Sequence, residues 1–266
     1  MQDTPPVAAA LRLEREGAIA FIVADNPARM NALTAAMWKA VPERLAEAER
    51  DPDVRVIVLK GAGTRAFSAG ADISEFDSAR SGDNAAAYDA LNDGAFQALS
   101  QCRKPTVAMI HGFCLGGGLG LALCTDIRLA DETAEFAIPA ARLGLGYNAR
   151  WVRPLLAAVS PSRAKEMLFT GRRFKVAEAS AMGLVNEVVP AAELAARTRA
   201  LASEIAANAP LTVRAAKLVI DELVRHPESP DMAALDAAVQ DCFDSEDYAE
   251  GRRAFLEKRK PRFQGR

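Results

Sequence analysis

"CLGGGLGLALC", Cys114 to Cys124, places four glycines in the five positions from Gly116 to Gly120 and then continues as an apolar run. Glycine gives up more backbone freedom on folding than any other residue, so such a cluster requires something that side chains would obstruct. A β-branched run, "TVAMIHG" from Thr106, precedes it, and leucine and alanine follow. Strand, glycines, apolar helix is an order that leaves unpaired backbone N–H groups at the turn, with the positive end of the helix dipole behind them. A turn of this kind can hold an oxyanion. Close packing of a helix on a strand demands glycine equally, and the stretch alone does not separate the two.

Three familiar motifs are excluded. GxGxxG would need glycine at 121 or 123, where the chain has Leu121 and Leu123. GxxxxGK[ST] is absent, and around Ser68 the pattern GxSxG fails because Ala66 replaces its first glycine. The only histidines are His111 and His226, both read as structural, so a histidine triad has few candidates. A second stretch has the same character as the first. "AFSAGADI", Ala66 to Ile73, follows the run "VRVIVLKG" from Val54 and is again built of small residues. Two such loops can each offer one N–H to the same oxygen.

Outward from these loops, "AIAFIVA" from Ala18 and "DIRLA" from Asp126 complete a set of short β-branched runs. Between them lie alanine-rich helical patterns. Thr34 is a plausible N-cap for a helix that carries Trp38, Val41, Leu45 and Ala48 on one face, although Pro42 interrupts it. Strands alternating with helices indicate an α/β fold with largely parallel strands. From Ala191 onward strand patterns stop; Ala216, Val219, Ile220, Leu223 and Val224 form an amphipathic stripe that suits a neighbouring subunit as well as the chain's own core. Leu235, Ala238, Val239 and Cys242 suggest another. The polar segment Asp77 to Asp93 reads as a surface excursion, either a lid or a plain loop leading into a helix.

The chain has 266 residues and a net charge of −2, which gives no footprint for nucleic acid or a membrane surface. Its four cysteines show no metal spacing, no metal site is expected, and reduced thiols in a cytoplasmic protein are the reading. The N-terminus lacks the basic and apolar regions of a secretory signal.

Six stretches in order resemble the crotonase superfamily, the enoyl-CoA hydratase/isomerase group: "NPARMNAL", "AFSAGADI", "KPTVAMIHGFCLGGG", "CTDIRLADETAEFAIP", "AKEMLFTGRRFKVAEASAMGLVNEVVP" and "FLEKRKPRF". The resemblance implies a spiral of ββα units over residues 1–200, carrying an acyl-CoA site. It implies a helical C-terminal trimerisation region over 201–266, with trimers often paired as hexamers. Coenzyme A then enters as part of the substrate, and no separate cofactor is implied. The resemblance assigns the oxyanion hole to the N–H groups of Ala71 and Gly117. It places Ala69 near the adenine, Asp72 and Ile73 beside the same loop, Arg29 near the CoA phosphates, and Phe255 and Lys258 at the nucleotide end of a neighbouring subunit. The tail from Arg252 to Arg266, with seven Lys/Arg against one Glu, suits phosphate binding.

The chain departs from the family at its chemistry. The two glutamates of the typical hydratase fall at Gly120 and Ala140, and a third acid position used by some isomerases falls at Asn148. None of these residues can do general acid–base work. Simple hydration is therefore in doubt, and restoring glutamate at 120 and 140 together is expected to raise it. The run from Pro139 to Asn148 resembles the matching stretch of methylmalonyl-CoA decarboxylase, a crotonase relative in which a tyrosine at the place of Tyr147 faces the acyl group. That relative has histidine at the place of Ala71 and glutamate at the place of Gly120. Three readings follow: a hydratase/isomerase-family enzyme working through an enolate, with Ala71, Gly117, Tyr147 and Asn148 as its chemical residues; a malonyl-type acyl-CoA decarboxylase using Tyr147; and a non-catalytic acyl-CoA-binding protein.

Overall fold

Two sheets share the chain turn by turn, and the computed structural model describes them through residues 9–75 and 84–266. The larger sheet has six strands in the order β1 (Ala10–Glu16), β2 (Ile19–Asp25), β3 (Val56–Gly61), β5 (Thr106–Ile110), β7 (Ile127–Asp131) and β10 (Glu187–Val189). Only the β1–β2 pair is antiparallel. The smaller sheet runs β4 (Ala66–Ser68), β6 (Phe113–Leu115), β8 (Glu135–Ala137) and β9 (Phe174–Lys175). Three successive pairs, β3–β4, β5–β6 and β7–β8, each place one strand in the large sheet and a three-residue strand in the small one, followed by helical structure. This is the α/β spiral that the resemblance implies. The four long apolar runs of the sequence are β2, β3, β5 and β7. They read as continuous apolar segments because parallel strands are covered on both faces.

Burial alternates along them. Ile22, Ile57 and Leu59 face the main core, while Phe21, Val56 and Val58 face a second, smaller one. Helix α1 (Ala35–Arg50) caps through the Thr34 hydroxyl, which accepts from Met37 N–H at 3.2 Å, and runs through Pro42. Its buried Trp38, Val41 and Leu45 supply the packing that offsets the backbone bond lost at proline. Helix α2 (Asn84–Ser100) crosses α1. Of the segment 77–93 read as a surface excursion, residues 77–83 lie outside the described residues and the rest opens α2.

Helix α3 (Gly117–Leu123) follows β6 directly. After it come α4 (Ala149–Ala158), α5 (Pro161–Thr170) and α6 (Val176–Ala181). Residue 200, the boundary read from the sequence, falls inside α7 (Leu194–Ala206), whose Leu194 and Ala202 pack on the large sheet's second face. The architecture changes after this helix, at α8 (Pro210–Arg225), α9 (Met232–Phe243) and α10 (Glu246–Leu256). There the stripe of α8 is largely uncovered: Ile220, Leu223 and Val224 are exposed. The basic tail returns onto α10. Asp247 accepts from the N–H groups of Gln264 and Gly265 at 2.6 and 2.8 Å, and Glu250 accepts from Arg262 N–H at 2.9 Å and from Arg259. Part of the tail's apparent charge excess is thereby met within the chain: Arg253 and Arg259 share Glu250, and Arg266 pairs with Glu246.

The α3 backbone lies so close to β4 that a Cβ at Gly118 would stand 2.7 Å from both the Cβ and the carbonyl oxygen of Ser68. Gly118→Ala should therefore cost about 1–3 kcal/mol by overpacking, read as a lowered midpoint of thermal unfolding; an unchanged midpoint would show that the strand yields.

Candidate active site

Each glycine of the opening stretch meets a different neighbour. Gly116 has φ 51° and ψ −122°, a conformation that side chains obstruct. A Cβ at Gly117 would lie 2.8 Å from the Trp38 ring, and one at Gly120 would lie 2.7 Å from Cζ of Phe96. With Ser68 against Gly118, three side chains press on one short helix. Packing thus accounts for glycine at these positions, and it also bares the backbone at 117.

The second small-residue loop arrives beside it. Leu33 N–H donates to Gly70 O at 2.7 Å, and Asp72 N–H donates to Leu33 O at 2.9 Å. Those two bonds face Leu33, so the N–H of Ala71 between them faces the other way. It faces α3: Ala71 N is 3.9 Å from where a Gly117 Cβ would stand. Gly117 N–H is at the first helical position and has no intrahelical acceptor. Among the described residues, neither N–H donates to a protein group. Two further groups fix the loop. Ser68 Oγ donates to Asn31 O at 2.8 Å and accepts from Gly70 N–H at 3.1 Å. Asn31, buried and left-handed at φ 54°, donates through its carboxamide to Ala66 O at 2.7 Å. The sequence reading missed this role of Asn31, although "NPARMNAL" carried it.

Both loops open on one cleft of about 650 Å³. Of the site residues read from the sequence, Ala69, Ala71, Ile73, Gly117, Ala140 and Tyr147 line it. Asn148 does not. It is exposed, and its carboxamide oxygen caps α4 by accepting from Trp151 N–H at 3.2 Å. Asp72 is buried behind the loop and binds Arg29 at 2.8 Å. Burial alone would raise its carboxyl, but hydrogen bonds from Ser74 and Arg29 outweigh it and hold the pKa below the usual value. Arg29 keeps about half of its side chain in solvent. Phe255 and Lys258 lie on the exposed C-terminal segment and do not line the cleft. Lys258 is left-handed there, at φ 54°.

The sequence reading assigned no site role to Trp38, Asn92, Phe96 and Trp151, all of which line the cleft. A signal was available: the chain holds two tryptophans, and both are here. Asp93 fixes one of them, accepting from Trp151 Nε1–H at 2.7 Å while pairing with the exposed Arg150. Arg142 points its Nε–H to Thr170 O at 3.2 Å. The described residues that line the cleft include no lysine, arginine, histidine or carboxylate. Tyr147 is their one titratable group. Burial pushes its phenol well above the ordinary value of 10, so it stays a neutral donor. Among the described residues its hydroxyl has no partner. Ala140 lines the cleft with a methyl group, whereas Gly120 is covered by Phe96.

The profile of the enoyl-CoA hydratase/isomerase family matches residues 14–266. The chain is 34% identical over 248 residues to a short-chain-enoyl-CoA hydratase of Clostridium acetobutylicum, covering 93% of this chain and 95% of that one. It is 35% identical over 264 residues to a carnitinyl-CoA dehydratase of Salmonella typhi, at 96% and 98% coverage. Among solved structures it resembles an enoyl-CoA hydratase/carnithine racemase from Magnetospirillum magneticum, with 39% identity, a TM-score of 0.92 and 96% of each chain covered.

The Phe96 ring amends the expectation that glutamates at 120 and 140 would suffice. Gly120→Glu with Ala140→Glu should leave crotonyl-CoA hydration low, because the new side chain at 120 meets the Phe96 ring at once. Adding Phe96→Ala should then raise hydration, since acid–base groups contribute about 10²–10⁴-fold each. A double variant as active as the triple would show that Phe96 moves aside unaided.

Proposed function

Because the chain belongs to the enoyl-CoA hydratase/isomerase family, we propose that it acts on an acyl-CoA thioester by holding an enolate oxygen between two backbone donors, without two-carboxylate hydration. The observation that carries this reading is the convergence of two N–H groups, Ala71 and Gly117, unpartnered among the described residues, on a cleft whose described lining holds no charged side chain. A thioester oxygen gains negative charge as the α-carbon becomes a carbanion. Donors fixed in advance by a strand bridge and a helix start need no reorganisation to meet that charge. They gain strength from the apolar lining, which keeps competing water away. In this reading Arg29, Ala69, Asp72 and Ile73 form the approach for the CoA moiety. Phe255 and Lys258 serve a neighbouring subunit's nucleotide end, with the bare stripe of α8 buried in a trimer or a pair of trimers.

A second reading, decarboxylation of a malonyl-type acyl-CoA, is favoured by the Tyr147 hydroxyl. Loss of CO₂ requires no base. It requires that the enolate be stabilised and the substrate carboxylate be held only loosely, since a strong cation would stabilise the ground state. A neutral phenol with no protein partner meets that condition. The cleft's lack of charge disfavours the carboxylate and costs the departing neutral CO₂ nothing.

Gly117→Pro removes one oxyanion donor, but its Cβ also meets Trp38. Gly117→Ala carries the same Cβ and keeps the N–H. Proline at a first helical position is otherwise well tolerated. Turnover by the proline variant should fall about 10²–10³-fold below that of the alanine variant. Equal turnover in two folded variants would remove Gly117 N–H from the chemistry and favour the non-catalytic binder.

For the second reading, CO₂ release from methylmalonyl-CoA should fall in Tyr147→Phe, while calorimetric binding of a non-carboxylated thioester stays nearly constant. Turnover should also be flat from about pH 6 to 8.5. The phenol remains protonated throughout, and no other described lining residue titrates. A bell-shaped profile, or no CO₂ from the wild-type protein, would end this reading.

A further inference from the structure

The cleft concentrates aromatic surface. Aromatic residues make up 6% of the chain, with two tryptophans and three tyrosines in all. Both tryptophans, one tyrosine and Phe96 line this one cavity. They form an unbroken edge-to-face series. Tyr147 meets Trp151 with centroids 5.3 Å apart at 71°, Trp151 meets Phe96 at 6.2 Å and 79°, and Phe96 meets Trp38 at 5.6 Å and 82°. The Trp38 end of the series lies against Gly117, where the thioester oxygen is held in the reading above. An acyl group starting from that oxygen therefore has the wall beside it from its first carbons. Ile138, Leu143 and Leu145 supply aliphatic lining, and a charged acyl terminus finds no partner among the described lining residues.

Phe96 is the hinge of this arrangement. It packs on both tryptophans, and it occupies the space that any side chain at 120 would need. The missing side chain at 120 and the ring at 96 are one feature: glycine lets the phenyl group descend onto α3, and the phenyl group joins the two tryptophans into a continuous wall. An aliphatic wall would serve an alkyl chain equally well through area alone. Ring edges and faces presented in sequence add a directional preference for a further ring.

Resting on the acyl-CoA reading above, we propose that the cleft selects an acyl group that ends in a planar aromatic ring, with Phe96 as the specificity-determining residue.

The test compares phenylacetyl-CoA with cyclohexylacetyl-CoA, which match in carbon skeleton and lack of charge and differ in the aromaticity of the ring. Binding is measured by calorimetry and by intrinsic tryptophan fluorescence, which reports from the cleft because Trp38 and Trp151 both line it. Phenylacetyl-CoA should bind about two- to tenfold more tightly, the ratio that an edge-to-face pair adds beyond area, and should change the fluorescence. In Phe96→Leu, a substitution of similar bulk, that ratio should fall toward one while cyclohexylacetyl-CoA still binds. Equal affinities in the wild-type protein, or tighter binding of the cyclohexyl thioester, would overturn the aromatic preference whether or not the variant folds. A ratio unchanged in folded Phe96→Leu would overturn the assignment to Phe96. Binding of free CoA with neither thioester bound more tightly would show that the acyl group is not seated here. Absence of binding by CoA and both thioesters would instead sink the acyl-CoA reading itself.

Discussion

The approach of three side chains to one glycine backbone governs this structure. Trp38, Ser68 and Phe96 come from helix α1, strand β4 and helix α2, and each occupies the place of a side chain that α3 lacks. A side chain at any of those positions would require its neighbour to shift. The contact therefore holds these elements close to α3, and the N–H of Gly117 has no acceptor among the described residues. Packing and the proposed chemistry ask for the same residue type here. That is why the sequence stretch alone could not say whether the glycines served packing or an oxyanion.

The long elements were legible because their burial is strong and repetitive. β2, β3, β5 and β7 read directly from β-branched runs, and α1 from Thr34 and the alternating three- and four-residue spacing of its buried face. The small sheet was not legible. Its strands are two or three residues long, and "AFS", "FCL" and "EFA" carry no period that could set them apart from loops. The turns of the spiral begin at Val56, Thr106 and Ile127, at unequal intervals, so no sequence repeat announces the architecture. The resemblance supplied what periodicity could not. The boundary read at residue 200 lies within α7: the strand pattern ends at Val189, but this helix still covers the sheet.

At the site, what belongs to the backbone was legible and what depends on contacts between distant elements was not. The paired loops at Ala71 and Gly117 follow from small residues after strands. That Phe96 covers Gly120 requires knowing where α2 crosses α3, which no local pattern encodes. Asn148 was read as a chemical residue from its place in a motif, but its carboxamide oxygen is used in capping α4. Short polar residues before a helix have that role commonly, and the sequence "YNARW" was compatible with it.

Reading the empty carboxylate positions as simple loss would leave the rest of the cleft unexplained. A site that had merely decayed would be expected to fill with water and retain scattered polar groups. Here the space at 120 is occupied by a packed ring, the space at 140 is lined by a methyl group, and the one titratable group among the described residues of the cleft wall is pushed further from ionisation by burial. A carboxylate placed in this lining would need a partner, since burying an unpaired charge is costly, and the described wall supplies none. The apolar wall and the absent glutamates thus require each other. The donors proposed at Ala71 and Gly117 need no side chain at all. They carry no charge and no pKa in the working range, so a dry cleft does not penalise them. Under that proposal the chemistry of this chain has to be sought among reactions that fixed dipoles can support without proton transfer by ionised groups.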